Sequence, residues 1–189
     1  MKVFIAGARE IRSLNSAVID KLNNIIKNEY DILVGDASGV DKNIQIYLKN
    51  KDYKKVTVYS MQKVRNNIGE WENIKITSKA SINTREYFTE KDKRMAEIAD
   101  IGLMIWNKKS EGTLNNMINL LTMNKKVCLF IQTEEKLYHL KKIDDLEKII
   151  FSQVSKELQE KYSTLLKRAQ KNYFKNFNVE VEKAIQLTL

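Results

Sequence analysis

The sequence has no proline, one cysteine, one histidine and only six glycines in 189 residues. A single cysteine, Cys128 within the apolar run VCLFI, excludes an internal disulfide and a cysteine-rich metal site. With His139 as the only histidine, placed among lysines in a connecting segment, a zinc site or a Ser-His-Asp triad lacks its usual groups. His139 reads as a surface residue, and no metal is expected. No apolar stretch approaches the ~20 residues of a membrane span. The opening MKVFIAGARE turns charged too soon for a signal peptide, so a cytoplasmic protein with no membrane partner is expected. Internal repeats, low-complexity segments and linkers are also missing. The expectation is one domain over residues 1–150 with a C-terminal helical extension over 151–189.

Charge is plentiful and of mixed sign. Thirty-three Lys and Arg against 24 Asp and Glu give a net charge of +9, which makes polyanions conceivable partners. Residues 1–133 hold 22 basic and 15 acidic residues, and 134–189 hold 11 and 9. The excess is therefore spread out, and no block of five or six like charges marks a nucleic-acid arm. Solvated lysines are the plainer reading, and a nucleic-acid partner is not favoured by charge alone.

Apolar periodicity alternates between two types. Short continuous runs at 2–6, 32–34, 56–59, 101–106 and 127–131 read as strands. Between them, Leu14, Val18, Leu22, Ile25 and Ile26 recur at helical spacing, as do Val40, Ile44, Tyr47 and Leu48. Residues 84–99 and 110–123 give two further helices. The stretch 61–82 is polar and poorly periodic, and reads as a long loop with at most a short strand at 74–76. A strand at 137–143, a helix opened by acidic residues at 144–148 and a long helix over 153–174 complete the pattern. Strands buried on both faces and separated by helices indicate an α/β fold: Rossmann-like, three-layered, with a mostly parallel sheet and the helical extension. Right-handed crossovers then gather the strand-to-helix turns along one sheet edge.

Three such turns carry the residue types that anions require. The first is Gly7-Ala8-Arg9, where small residues admit a ligand to the backbone and Arg9 offers a charged donor; a plain turn accounts for the glycine equally well. The second is Gly35-Asp36-Ala37-Ser38-Gly39-Val40-Asp41, two glycines around short residues at a helix start. It fits neither a Walker loop nor the G-x-G-x-x-G dinucleotide fingerprint. The third is Ser110-Glu111-Gly112-Thr113, whose hydroxyls cap a helix while Gly112 stands in its first turn, a costly place for glycine. Arg85, on the preceding helix, is in reach of a phosphate, and Trp106 at a strand end or Tyr87 offers a stacking surface, although both aromatics fit a core equally. Arg94, Lys91 and Lys93 beside them read as solvated charges.

Taken in order, KVFIAGAR, ILVGDASGVD, the R-x(6)-D spacing of Arg85 and Asp92, and ADIGLMIWNKKSEGTLNNM followed by KVCLF resemble the SLOG superfamily over residues 1–132. That group of Rossmann-like proteins includes lonely-guy phosphoribohydrolases, DNA-processing protein A and sensor domains for nucleotide-derived signals. The resemblance implies a ligand pocket formed by Gly7, Ala8 and Arg9, by Gly35, Asp36, Ala37, Ser38, Gly39 and Asp41, and by Ser110, Gly112 and Thr113; Arg85, by its reach, and Trp106, the better placed of the two aromatics at its strand end, are expected to join it. It implies binding of a nucleotide or nucleotide-derived ligand, of the NAD, ADP-ribose or nucleoside phosphate type, by a sensor or carrier. The lonely-guy enzymes carry P-G-G-x-G-T-x-x-E, whose Glu takes part in cleaving the N-glycosidic bond. Here Lys108-Lys109-Ser110 replaces Pro-Gly-Gly and Asn116 stands in place of that Glu. An amide cannot act as a carboxylate acid or base. An N-glycosidase or transferase then has to use Asp36 or Asp41, and a DNA-processing type of nucleic-acid binding is the remaining alternative. The extension has Val154, Leu158, Tyr162, Leu165, Leu166, Ala169 and Tyr173 on one side, a face that either closes a homodimer or covers the domain.

Overall fold

The structure, a computed structural model, describes the backbone of residues 1–82 and 84–186 and the side chains of all but the last helical turns, 174–186. The end of the expected extension therefore lies outside the described side chains, and residues 187–189 lie outside the described residues altogether.

Seven strands form one sheet: β1 (Lys2–Gly7), β2 (Asp31–Gly35), β3 (Val56–Ser60), β4 (Glu72–Lys75), β5 (Ile101–Trp106), β6 (Lys126–Ile131) and β7 (Lys136–Leu140). Their spatial order is β4-β3-β2-β1-β5-β6-β7, with every pair parallel except β6 and β7. The helices are α1 (Ser16–Lys27), α2 (Val40–Asn50), α3 (Arg85–Ile98), α4 (Glu111–Thr122), α5 (Ile143–Gln153) and α6 (Lys156–Gln186). The fold is thus α/β and Rossmann-like, as the alternation of runs predicts.

Both faces of the sheet are covered, which is why its strands are continuous apolar runs. Side chains alternate along each strand. In β1 and β5, Phe4, Ala6, Met104 and Trp106 face α3, α4 and α6, while Val3, Ile5, Leu103 and Ile105 face α1 and α2. The described part of the α6 face, Leu158, Tyr162 and Ala169, is buried in the first of these layers together with Leu146, Ile149 and Ile150 of α5. The Tyr162 hydroxyl donates to Glu147 Oε1 at 2.9 Å, which ties the two helices.

The segment 61–82 holds the polar strand β4, which pairs in parallel with β3 at the sheet edge through Tyr59 and Ile74. It is short and charged, as edge strands commonly are, and carries almost no apolar signal. The antiparallel β7 overlaps the strand expected at 137–143 but starts one residue earlier and stops at Leu140, and His139 on it is exposed.

Chain order reverses direction between β1 and β5, so the turns leaving these two central strands diverge and open a crevice at their carboxyl ends. Gly39 fixes how the second turn meets the first. Its φ of +74° lies in the left-handed region, and a Cβ there would stand 2.3 Å from the Arg9 carbonyl oxygen. Ala8 N donates to Ile105 O at 3.0 Å and Val40 N to Ala8 O at 3.4 Å, so all three elements interlock under the crevice.

Candidate functional site

The crevice is a cavity of about 550 Å³, the size of a small-ligand site. From the first turn it takes Gly7, Ala8 and Arg9, from the second Ala37 and Asp41, and from the third Ser110, Gly112 and Thr113; Arg85 joins them from α3. Other turn residues stay out of the lining. Gly35 lies beneath it, Gly39 packs on Arg9, and Ser38 is exposed away from the lining.

Asp36 is also outside the lining and fully buried, because Arg65 from the 61–82 segment occupies its carboxylate. The Arg65 Nε and N each donate to Oδ2 at 3.1 Å, and Nη2 donates to Oδ1 at 2.5 Å. Burial pulls the Arg65 pKa down, but the bonds and charge of Asp36 outweigh it and the net shift is upward. A carboxylate spent this way is not available to a substrate, which leaves Asp41 as the better placed of the two acids.

Asp41, in the first turn of α2, accepts from Ala37 N at 3.1 Å and is 5% exposed. Burial raises its pKa to about 6, despite the opposing pull of Lys91. The buried Lys91 Nζ forms a 2.6 Å ion pair with Asp92 and also feels Asp41; burial lowers its pKa, yet these carboxylates carry the net shift upward. Gly35 makes this cluster possible. A Cβ on it would meet Asp41 Oδ2 at 2.4 Å and Lys91 Nζ at 2.6 Å, so the pair occupies the space a side chain would take. An acid near pKa 6 beside an ammonium and a second carboxylate is suited to holding or moving a proton.

The mouth is built at the start of α4. Ser110 caps the helix, its Oγ accepting from Thr113 N at 3.3 Å and from Thr113 Oγ1 at 3.0 Å. Asn107 Oδ1 orders the approach by accepting from Lys109 N and Ser110 N at 3.0 and 2.9 Å. One capping oxygen cannot serve every amide of a first helical turn, so those of Glu111 and Gly112 remain for water or an anion. The space in front of Gly112 is open: the nearest atom to a Cβ there is Ser110 Oγ at 4.0 Å. Arg9 and Lys109 are exposed at the rim, whereas Arg85 is ion-paired with Glu111, which also pairs with Lys161 of α6. Burial, with Arg168 adding to it, lowers the Arg85 pKa.

The aromatic wall differs from the one expected. Trp106 has no exposed surface and belongs to the core, where its Nε1 donates to Ser110 O at 2.9 Å. Tyr87 is buried, and its hydroxyl accepts from Gln62 N. The ring that does line the cavity is Phe88, with the Arg9 and Arg65 guanidinium carbons 5.9 and 4.9 Å from its centroid.

The fold has a counterpart among solved structures. The chain is similar to DNA processing protein A from Helicobacter pylori, with a TM-score of 0.54 and 18% identity over 89% of this chain and 81% of that one. That structure was described for a unique mode of single-stranded DNA binding. At such identity the likeness shows the fold. No family model and no curated protein matches the sequence.

Several lining residues carry weak sequence signals. Lys91, Asp92, Asn107 and Lys109 sit in charged or polar runs that look solvated, and Phe88 reads only as part of the apolar pattern of its helix. Of these five, Asp92 alone carries a motif signal, its R-x(6)-D spacing from Arg85, and it does line the cavity. No helix among the described residues is long and apolar enough to cross a membrane.

Proposed function

We propose that the cleft binds a nucleotide or nucleotide-derived ligand through its phosphate, in the manner of a SLOG-type sensor or carrier. The observation that carries this reading is the free approach to Gly112 at the N-terminus of α4, inside a cavity that also holds Arg9 and Lys109. Backbone amides at a helix start suit a phosphate, and the two exposed cations add charge-assisted bonds. Carboxylates on the floor, Asp41 and Asp92, repel phosphate and suit a ligand's hydroxyl or amino donors. The ligand's anionic end therefore belongs at the rim.

Calorimetry with AMP, ADP-ribose and adenosine tests the reading. Gly112→Val is expected to abolish binding of the phosphorylated ligands with little loss of stability, because the new side chain fills the approach while the buried face of α4 is unchanged. Arg9→Ala is expected to weaken them by about 1.5–3 kcal/mol and adenosine far less. Equal losses for nucleotide and nucleoside would mean that the turns are structural and the ligand sits elsewhere.

The likeness in fold favours a second reading, single-stranded DNA along the same mouth, and the net charge of +9 is compatible with it. The acidic floor argues against a polyanion lying deep in the cleft. Fluorescence titration with a labelled oligonucleotide is therefore expected to show weak binding that falls steeply with salt. Tight binding at physiological salt, lost on Lys109→Ala, would make DNA the partner instead.

A further inference from the structure

The deep end of the cleft has acceptors in excess of donors. Asn116 lies on α4, one turn below Gly112, and is only 3% exposed. Its Nδ2 donates to Asp92 Oδ2 at 3.5 Å, while its Oδ1 is buried without a hydrogen-bond partner. The Asp92 carboxylate fixes this orientation, since turning the amide over would set two acceptors face to face. Asp92 Oδ1 accepts from Lys91, so among the described residues its Oδ2 has only the long bond from Asn116. Both residues line the cavity. A buried acceptor without a donor is a standing cost, and a ligand that brings O–H groups removes it.

We propose, on the reading of this cleft as a nucleotide site, that Asn116 Oδ1 and Asp92 Oδ2 receive the two hydroxyls of a ribose 2′,3′-diol, so that the site takes ribonucleotides in preference to 2′-deoxyribonucleotides. Spacing along α4 supports a sugar in this position. Asn116 lies four positions beyond Gly112, a rise of about 6 Å. That is close to the span from a 5′-phosphate to the ribose hydroxyls and short of the span to an amino group on the base. A vicinal diol carries two adjacent donors, one for the unpaired Asn116 Oδ1 and one for Asp92 Oδ2, whose bond from Asn116 is long. Removing the 2′-hydroxyl, the one assigned to Asn116, leaves Asn116 Oδ1 buried and unpaired again, which is how a site built to bond a hydroxyl rejects the analogue lacking it. Lys91 acts through Asp92, as a positioning residue that turns the other carboxylate oxygen toward the ligand.

Isothermal titration of the full chain with AMP and 2′-deoxy-AMP tests the assignment. The wild type is expected to bind AMP about tenfold more tightly, the ratio for leaving one buried acceptor unpaired. Asn116→Leu, which keeps the volume and removes the acceptor, is expected to lower AMP affinity while leaving 2′-deoxy-AMP nearly unchanged, so that the ratio approaches one. Circular dichroism melting verifies that this variant is folded, and the wild-type comparison stands without it. Equal binding of the two nucleotides by the wild type, or a preference for 2′-deoxy-AMP, overturns the diol assignment and leaves the nucleotide reading intact. An unchanged ratio in folded Asn116→Leu removes Asn116 from the assignment. Binding of neither nucleotide overturns the reading of the cleft itself.

Discussion

Lys91→Met is expected to lower the unfolding free energy by about 3–5 kcal/mol near neutral pH, the range for removing one partner of a buried ion pair. The Lys91 ammonium is almost wholly buried, bonded to Asp92 at 2.6 Å and set above Gly35 beside Asp41. Methionine fills much of the same space, so the loss is chiefly electrostatic: two carboxylates remain with their counter-charge gone. The pH dependence gives the prediction its sign. Asp41 has a folded-state pKa of about 6, above its ordinary value of 3.8, so the folded state binds the proton more tightly than the unfolded one. Stability therefore falls as pH rises between those two values, and below them the penalty is absent. Without Lys91, which pulls the Asp41 pKa down, that window extends further upward. The deficit of Lys91→Met should accordingly be smaller near pH 5 than near pH 8. Urea unfolding at the two pH values measures it, and Asp41→Asn added to Lys91→Met should recover part of the loss. A deficit below about 1 kcal/mol, or one independent of pH, would show that the cluster is solvated.

The buried lysine also marks where a sequence stops being legible. The strands β1, β2, β5 and β6 are readable because both of their faces are covered, and a short, continuous apolar run bounded by turn residues fits little else than a strand in the middle of a covered sheet. The turns that follow them are readable because glycine and short polar residues there have a local cause. Glu90-Lys91-Asp92-Lys93-Arg94 has no such signature. One lysine of this run is buried because Gly35, 56 positions earlier, leaves room beneath it and Asp41 supplies a charge. Asp36 shows the same limit from the other side. Within its turn it looks like a free acid, and its partner Arg65 arrives from a segment 29 residues away with no periodicity to place it. Local pattern fixes which face a residue takes, whereas pairings across the fold depend on how the elements close over one another.

Trp106 is the sharpest instance, and Trp106→Ala is expected to cost about 3–5 kcal/mol of stability, the range for truncating a fully buried aromatic residue. Strand alternation sets Trp106 on the same face as Met104, but does not tell whether a residue at the strand end rises into the crevice or turns under α4. The structure has it turned under, with no exposed surface and its indole nitrogen donating to Ser110 O. That bond joins the core to the residue that caps α4, so the truncation loosens the mouth of the cleft as well as leaving a void. Trp106→Phe separates the two effects: it retains most of the packing, loses the bond to Ser110, and should cost about 1–2 kcal/mol. Urea unfolding followed by circular dichroism provides both values. Acrylamide quenching in a Trp71→Phe background adds an independent readout, because Trp106 is then the only indole and should be strongly shielded. Ready quenching, together with a loss of less than about 1 kcal/mol on truncation to alanine, would instead place the indole in the cleft as a stacking surface.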